Sequence, residues 1–400
     1  MGDISTWLNI AVRWFHVIAG IAWIGSSFYF IWLDNALKPP TDPQDKKNGV
    51  GGEVWAVHGG GFYHKKKYQV APSFMPEDLH WFKWEAYATF VSGFILLILI
   101  YYFNADLYLI DKTKMALEPA QAIVTGLAFI GGGWLFYDTL CKSRIGANDR
   151  LFGLVWFAAL TTAAYFLNHI FTGRGAFIHV GAMMGTAMAA NVFAIIIPNQ
   201  KIVVADLLAG RTPDPRLGKK AKQRSLHNNY MTLPVVLIMI SNHYPVLFDS
   251  PYNWLILAGL SVSAFFMRHF FNLKHKGREE YVYILAGVTV FLLVMGFTEG
   301  GPNSGKVSTA SAVAVSDAEA RAIIRTHCSA CHSDSPTHVG VAIAPKGVMF
   351  DKMIEIRKNA PRIEEQAVEH NTMPLGNETN MTKEEREKLG IWLKGIEEQK

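Results

Sequence analysis

The sequence predicts an all-α protein: a polytopic membrane bundle of about eight transmembrane helices followed by a small water-soluble helical domain. Three observations carry that expectation. Half of the 400 residues are apolar and only 18% are charged, a balance more apolar than soluble domains show. The apolar residues gather before residue 300 in blocks of about 20, the length a helix needs to cross roughly 30 Å of hydrocarbon. From Ser316 onward charge returns, with Asp317, Glu319, Arg321, Arg325, Glu364, Glu365 and the run Lys383-Glu384-Glu385-Arg386-Glu387-Lys388, the pattern of solvated helices.

The predicted spans are Trp7–Leu33, Trp81–Phe103, Pro119–Leu140, Leu151–Phe171, Ala176–Ile197, Tyr230–Phe248, Tyr252–Phe271 and Tyr281–Thr298. The first is too long for the apolar region of a signal peptide and lacks a small-x-small cleavage site. Charge then orients the bundle, because loops facing the cytoplasm hold an excess of Lys and Arg. With the N-terminus outside, the inner loops 34–80, 142–150, 198–230 and 272–280 carry 19 Lys and Arg, and the outer segments carry 3. An even number of spans returns the chain to the outer face near residue 300. Residues 1–299 are thus expected to form the membrane domain and 300–315 a linker, since Glu299-Gly300-Gly301-Pro302-Asn303-Ser304-Gly305 has little to bury. Residues 316–400 form the outer domain. No internal repeat suggests duplicated transporter halves. The net charge of +5 is absorbed by topology, which excludes nucleic acid as a partner and leaves the lipid bilayer.

Of three cysteines, two lie in Cys328-Ser329-Ala330-Cys331-His332. Two thiols at this spacing form thioethers to one haem, and the adjacent imidazole ligates its iron, so the motif reads as covalent haem c attachment. A thioredoxin-like pair would need a βαβ context, and a zinc site a second Cys pair. The second iron ligand is expected at Met373, in the loop Asn371-Thr372-Met373-Pro374-Leu375-Gly376-Asn377 before a closing helix Thr382–Ile396; a thioether ligand raises the haem potential. Met349, Met353, Met381, His338 and His370 compete for that role. The domain resembles a class I cytochrome c, with its closing helix containing Trp392. Haem of this type is attached on the outer side of the bacterial inner membrane, which agrees with the charge count and places the N-terminus and this domain in the periplasm. Cys141, left over, reads as a small buried residue at a helix end.

Ionisable groups within spans are expensive and so are candidate functional residues. Arg13, His16, Gly20 and Trp23 recur as one stripe of the first helix. His16, His169, His179 and His243 fall toward the outer ends of their helices. They read either as ligands of a second, non-covalent b-type haem or as hydrogen-bonded interface residues. Arg268 and His269 are expected to snorkel to the inner surface, and Gly181, Gly185 and Ala189 to form a face for close helix contact. The first inner loop gathers Glu53, Trp55, His58, Gly59-Gly60-Gly61 and His64, and then Leu79-His80-Trp81-Phe82-Lys83-Trp84-Glu85. Interfacial anchoring accounts for Trp81 and Trp84; Glu53, His58 and the glycines look like a site. Glu85 opens a polar stripe with Thr89 and Ser92.

The run Arg13-Trp14-Phe15-His16-Val17-Ile18-Ala19-Gly20-Ile21-Ala22-Trp23-Ile24-Gly25, the Glu53–His64 loop, the Leu79–Tyr87 segment and the terminal cytochrome module together resemble the bacterial membrane-bound cytochrome c urate oxidase family. The resemblance implies oxidation of urate to 5-hydroxyisourate with water as oxygen source. Electrons would leave through haem c to a soluble cytochrome c or terminal oxidase, without hydrogen peroxide. Such chemistry asks for a base, a cationic or donor group and an electron outlet. By residue type, Glu53, His58 and Glu85 are candidates for base and orienting groups, and Arg13 or Arg174 for holding the anion. Other readings are the cytochrome subunit of another dehydrogenase or terminal oxidase, a haem-linked purine transporter, and a non-catalytic electron relay.

Overall fold

In a computed structural model, residues 2–68, 76, 78–300, 315–338, 341 and 343–397 are described. The membrane domain contains eight long helices in the predicted order: α1 Gly2–Ala36, α2 Trp84–Tyr102, α3 Pro119–Lys142, α4 Asp149–Ile170, α5 Gly173–Leu208, α6 Pro215–Ser241, α7 Asn253–Lys274 and α8 Val282–Gly300. Six of them, α1 to α5 and α7, are long and apolar enough to cross a membrane.

Their ends follow local chemistry. The α3 helix starts with Pro119 after a Glu118–Gln121 capping box, and α4 starts where the Asn148 side chain accepts from the amides of Arg150 and Leu151. Thr172 caps α5 by accepting from Gly175 N–H. Gly173 has a steric reason to lack a side chain: a Cβ there would lie 1.8 Å from the Phe248 carbonyl oxygen. The most buried span is α5, against which α3, α4 and α6 pack, while α2 packs on α1 and α8 on α7. Trp7, Leu8, Trp14, Phe15, Ile18 and Ile21 of α1 are exposed, as a lipid-facing surface is. Of the predicted small-residue face, Gly181 makes the close approach, its position 2.7 Å from Ile238 Cγ2 of α6 for an added Cβ, whereas Gly185 faces open space.

Two expectations need correction. The chain is not purely helical: the first inner loop contains an antiparallel hairpin, β1 Val50–His58 and β2 Gly61–Tyr68. Gly59 and Gly60 make its two-residue turn with φ of 57° and 79°, the left-handed backbone that such turns demand and glycine supplies. The predicted span Tyr230–Phe248 is also displaced. Asp214 caps α6 and Pro215 occupies its first turn, so Arg216–Asn229, assigned to a loop by their polarity, are helical. The helix ends at Ser241, with Phe248 closing a separate short turn.

The C-terminal part has α9 Asp317–His327, opened by a Ser316–Glu319 capping box, and the closing helix α10 Lys383–Glu397. Ile324, Ile356, Leu389, Trp392 and Leu393 form its buried core, and Trp392 Nε1 donates to Asp317 Oδ1 at 2.9 Å, tying the two helices. The linker expected at 300–315 lies outside the described residues except for its ends.

Candidate functional site

The Cys328–His332 motif is held by local hydrogen bonds. Cys328 caps α9, and the amides of Cys331 and His332 both donate to its carbonyl, at 3.2 and 2.9 Å. His332 Nδ1 lies 3.0 Å from the Val348 carbonyl. A carbonyl only accepts, so the ring hydrogen is on Nδ1 and Nε2 keeps its lone pair. Burial holds this imidazole below its ordinary pKa, in the neutral form that ligates metals. Cys328, Met353 and Met373 all pack on the same buried cluster. The Met373 amide donates to Gln366 O, and its carbonyl accepts from the Arg386 guanidinium, which also donates to Ala367 O. Of the competing ligands, His338 is paired with Glu378 at 2.9 Å, and Met381 is buried in the core.

This C-terminal part rests on one end of the helix bundle. The loop carrying Gly376, φ 59°, is so close to the short helix Ala105–Tyr108 that an added Cβ would lie 2.7 Å from Asp106 O and 3.3 Å from Ile110 O. Beneath, Thr172 Oγ1 donates to Tyr108 O at 2.7 Å and its amide donates to Leu109 O, fixing the platform. A cavity of about 310 Å³ between the two parts is lined by Lys114, Arg174, Asp249, Asn377 and Arg386 among others. Burial pushes the Asp249 carboxyl up to about 7, although Arg386 and Lys114 pull it down and Asp111 adds to the rise. Because the folded chain prefers Asp249 protonated, its stability falls as pH rises from the ordinary 3.8 to about 7. Asp249→Asn is expected to flatten this slope, read as the midpoint of thermal unfolding in detergent between pH 4 and 7; an unchanged slope refutes it.

Of the residues singled out in the loop after α1, Glu53, Trp55 and His64 meet, and His58 does not join them. Glu53 is 5% exposed, and both carboxylate oxygens are spent within the hairpin. Oε1 accepts from the Thr41 amide and hydroxyl at 2.8 and 2.9 Å, and Oε2 meets His64 Nε2 at 2.6 Å. Those Thr41 bonds, then His64, hold its pKa down. His58 is exposed beside the hairpin turn. Lys67 bonds Asp34 at 2.6 Å and Lys65 lies 5.0 Å over Tyr29, so the hairpin is strapped to the inner end of α1. Glu85 is at the start of α2, where its carbonyl accepts from Thr89 Oγ1. Arg13 is exposed and bonds only Asn9 among the described residues.

His16 and His179 do not share a site either. His16 Nδ1 bonds Thr89 O and Ser92 Oγ at 3.1 and 3.0 Å, which joins the predicted stripes of α1 and α2. His179, fully buried, bonds Gly175 O through Nδ1 at 2.8 Å and meets Tyr102 OH through Nε2 at 3.2 Å. An added Cβ at Gly126 of α3 would lie 2.4 Å from that Nε2. Ser92 and Tyr102 are ten residues apart on α2, roughly 15 Å along its axis, so His16 and His179 do not bracket one iron. His169 bonds Tyr165 O on its own helix, and His243 follows the end of α6.

What the sequence reading missed lies on the polar stretch of α6. Arg224, 4% exposed, donates to Asp138 Oδ1 at 2.9 Å and to Asn191 Oδ1 at 3.2 Å. Since guanidinium only donates, Asn191 must present its oxygen there. Its amide then donates to Tyr137 OH and Asn228 Oδ1, both at 2.8 Å, and the Tyr137 hydroxyl donates to His227 Nδ1 at 2.9 Å. Asn191 opens a π-helical turn, Asn191–Ile196, a feature often found at functional sites. Cys141 lies near this network, its Sγ 3.8 Å from His227 Nδ1. A cavity of about 600 Å³ beside it is walled by Phe152, Trp156, Met184, His227, Trp254 and His269. On the other side of the α6–α7 pair are Asn229, Arg268 and Asn272, all buried. Arg268 thus does not snorkel: its Nε donates to Asn229 Oδ1 at 3.0 Å and its Cζ lies 3.7 Å from the centroid of Phe28 on α1. The run Arg224-Ser225-Leu226-His227-Asn228-Asn229 was the available signal, had it been placed on a helix.

Comparisons with curated proteins and with solved structures give no match. Among protein families, the one described as urate oxidase N-terminal matches residues 2–299. That match spans the whole helical bundle from α1 to α8, and the chain belongs to the urate oxidase N-terminal family.

Proposed function

We propose that the chain oxidises urate to 5-hydroxyisourate at the bacterial inner membrane and delivers the electrons to a haem c on its periplasmic domain. Urate takes up one water and releases two protons and two electrons, so no hydrogen peroxide forms at the urate site. From haem c the electrons pass to a soluble cytochrome c or a terminal oxidase. The observation that carries the reading is the docking of the Cys328–His332 part, through the loop that carries Gly376, onto one end of a urate oxidase family bundle.

The residues fit haem c. Cys328 and Cys331 are free thiols, His332 keeps an unprotonated Nε2, and Met373 shares the core cluster with Cys328. The group supplies a one-electron acceptor. Arg386 holds the Met373 carbonyl and so fixes the loop that both ligates and docks. The reading takes one haem, and urate then yields its electrons in two successive steps.

An anaerobic difference spectrum of the purified full-length protein tests this. Urate is expected to reduce the haem without any added enzyme, and a pyridine haemochrome assay to show c-type haem alone. Reduction only with a partner enzyme would make the chain a relay, and urate uptake without reduction a transporter; either overturns the proposal. A b-type spectrum would overturn the one-haem reading.

A further inference from the structure

The buried side chains Arg268, Asn229 and Asn272 form a cluster that the family match and the haem leave unexplained. Arg268 Nε and Asn272 Nδ2 both donate to Asn229 Oδ1, at 3.0 and 2.9 Å, so the three side chains meet at one oxygen. That sharing fixes both amides: Asn229 turns its nitrogen away and Asn272 its oxygen. Three atoms are left buried and unpartnered among the described residues, Arg268 Nη2, Asn229 Nδ2 and Asn272 Oδ1. Two are donors and one an acceptor. Arg268 is 4% exposed, Asn272 5% and Asn229 0%.

Charge makes the cluster more than a packing detail. Arg224, equally buried, has the Asp138 carboxylate at 2.9 Å. Arg268 has no carboxylate partner among the described residues; its neighbours are the Phe28 ring, Asn229 and, through longer-range charge, Tyr230. A cation withdrawn from water is costly unless it is paired. A fixed guanidinium with a free donor edge, an amide donor and an amide acceptor alongside, and an aromatic ring against its face together complement a planar, delocalised anion that carries carbonyl oxygens and a ring N–H.

We propose that Arg268, Asn229 and Asn272 are the recognition site for a purine anion, which on the reading above is urate. Arg268 Nη2 and Asn229 Nδ2 donate to the anion's oxygens and Asn272 Oδ1 accepts from a ring N–H, while Phe28 stays against the guanidinium face. The site lies on the inner third of α7, so urate enters from the cytoplasmic side. Tyr230 and His269, next along the same helices, bond each other at 2.7 Å and face the 600 Å³ cavity.

The test measures urate binding calorimetrically to the full-length protein kept reduced with dithionite, so that no turnover occurs. Arg268→Gln is expected to weaken binding tenfold or more and to raise KM for haem reduction by a similar factor. Asn272→Asp supplies an internal carboxylate next to Arg268; it is expected to raise the thermal midpoint while abolishing binding. Wild-type-like urate affinity in either folded variant overturns the assignment. Should Arg268→Gln fail to fold, Asn272→Asp decides alone. Urate that reduces wild type and both variants with the same KM sinks the site but leaves the proposed function standing. Urate that binds wild type tightly through these residues without reducing the haem does the reverse.

Discussion

Replacing Gly376 with valine is expected to cut urate-dependent haem reduction at least tenfold, while leaving reduction of the same haem by dithionite unchanged. Gly376 has φ 59°, and a Cβ there would meet three backbone oxygens, of Asp106, Ile110 and Leu107, at 2.7, 3.3 and 3.4 Å. Backbone oxygens cannot swing aside as a side chain can, and a β-branched residue adds the strain of left-handed backbone. The loop must therefore lift off the short helix Ala105–Tyr108. Loss of contact raises the barrier to transfer from the bundle, and tenfold corresponds to about 1.4 kcal/mol. The visible spectrum controls for damage to the haem ligands, since Met373 lies three residues away. Wild-type rates in the variant would show that the loop contact is not the electron route.

The second large effect concerns stability. Asp138→Ala is expected to destabilise the membrane domain by about 3–5 kcal/mol, the loss expected when a buried ion pair loses one partner. The Arg224 side chain is 5% exposed and bonded to Asp138 at 2.9 Å, so its charge would be left in a low-dielectric interior. The damage extends further, because Arg224 sets the direction of every hydrogen bond from Asn191 through Tyr137 to His227. Asp138→Asn keeps an acceptor and should lose less. Thermal unfolding in detergent, followed by circular dichroism, measures both; equal midpoints for wild type and Asp138→Ala would refute the buried-pair account.

Much of the architecture was legible from residue types alone. Apolar blocks located the helices, because a membrane-spanning segment must satisfy its backbone internally and present apolar side chains outward. The loop at 34–80 was read as a candidate site since it mixes Glu53, His58, His64 and glycines; the hairpin shows these residues satisfying one another locally. Alternating side-chain direction in strands was masked there by the lysine run 65–67 and the glycine turn. The start of α6 was hidden for the opposite reason. A hydropathy reading assigns Arg224, His227, Asn228 and Asn229 to water, but α3, α5 and α7 provide them with partners inside the bundle.

The sequence by itself determined the apolar helices, the Cys328–His332 motif and the two polar stripes that begin at Arg13 and Glu85. These rest on local composition, spacing and periodicity, which need no knowledge of neighbours. Only the tertiary structure decided that Glu53 is committed to Thr41 and His64, that His16 and His179 lie apart, and that Arg268 is buried beside Asn229 with no acidic partner among the described residues. Whether a polar group is satisfied depends on which helix faces it, and residues such as Asn229 and Arg268, 39 positions apart, acquire that relation only through packing.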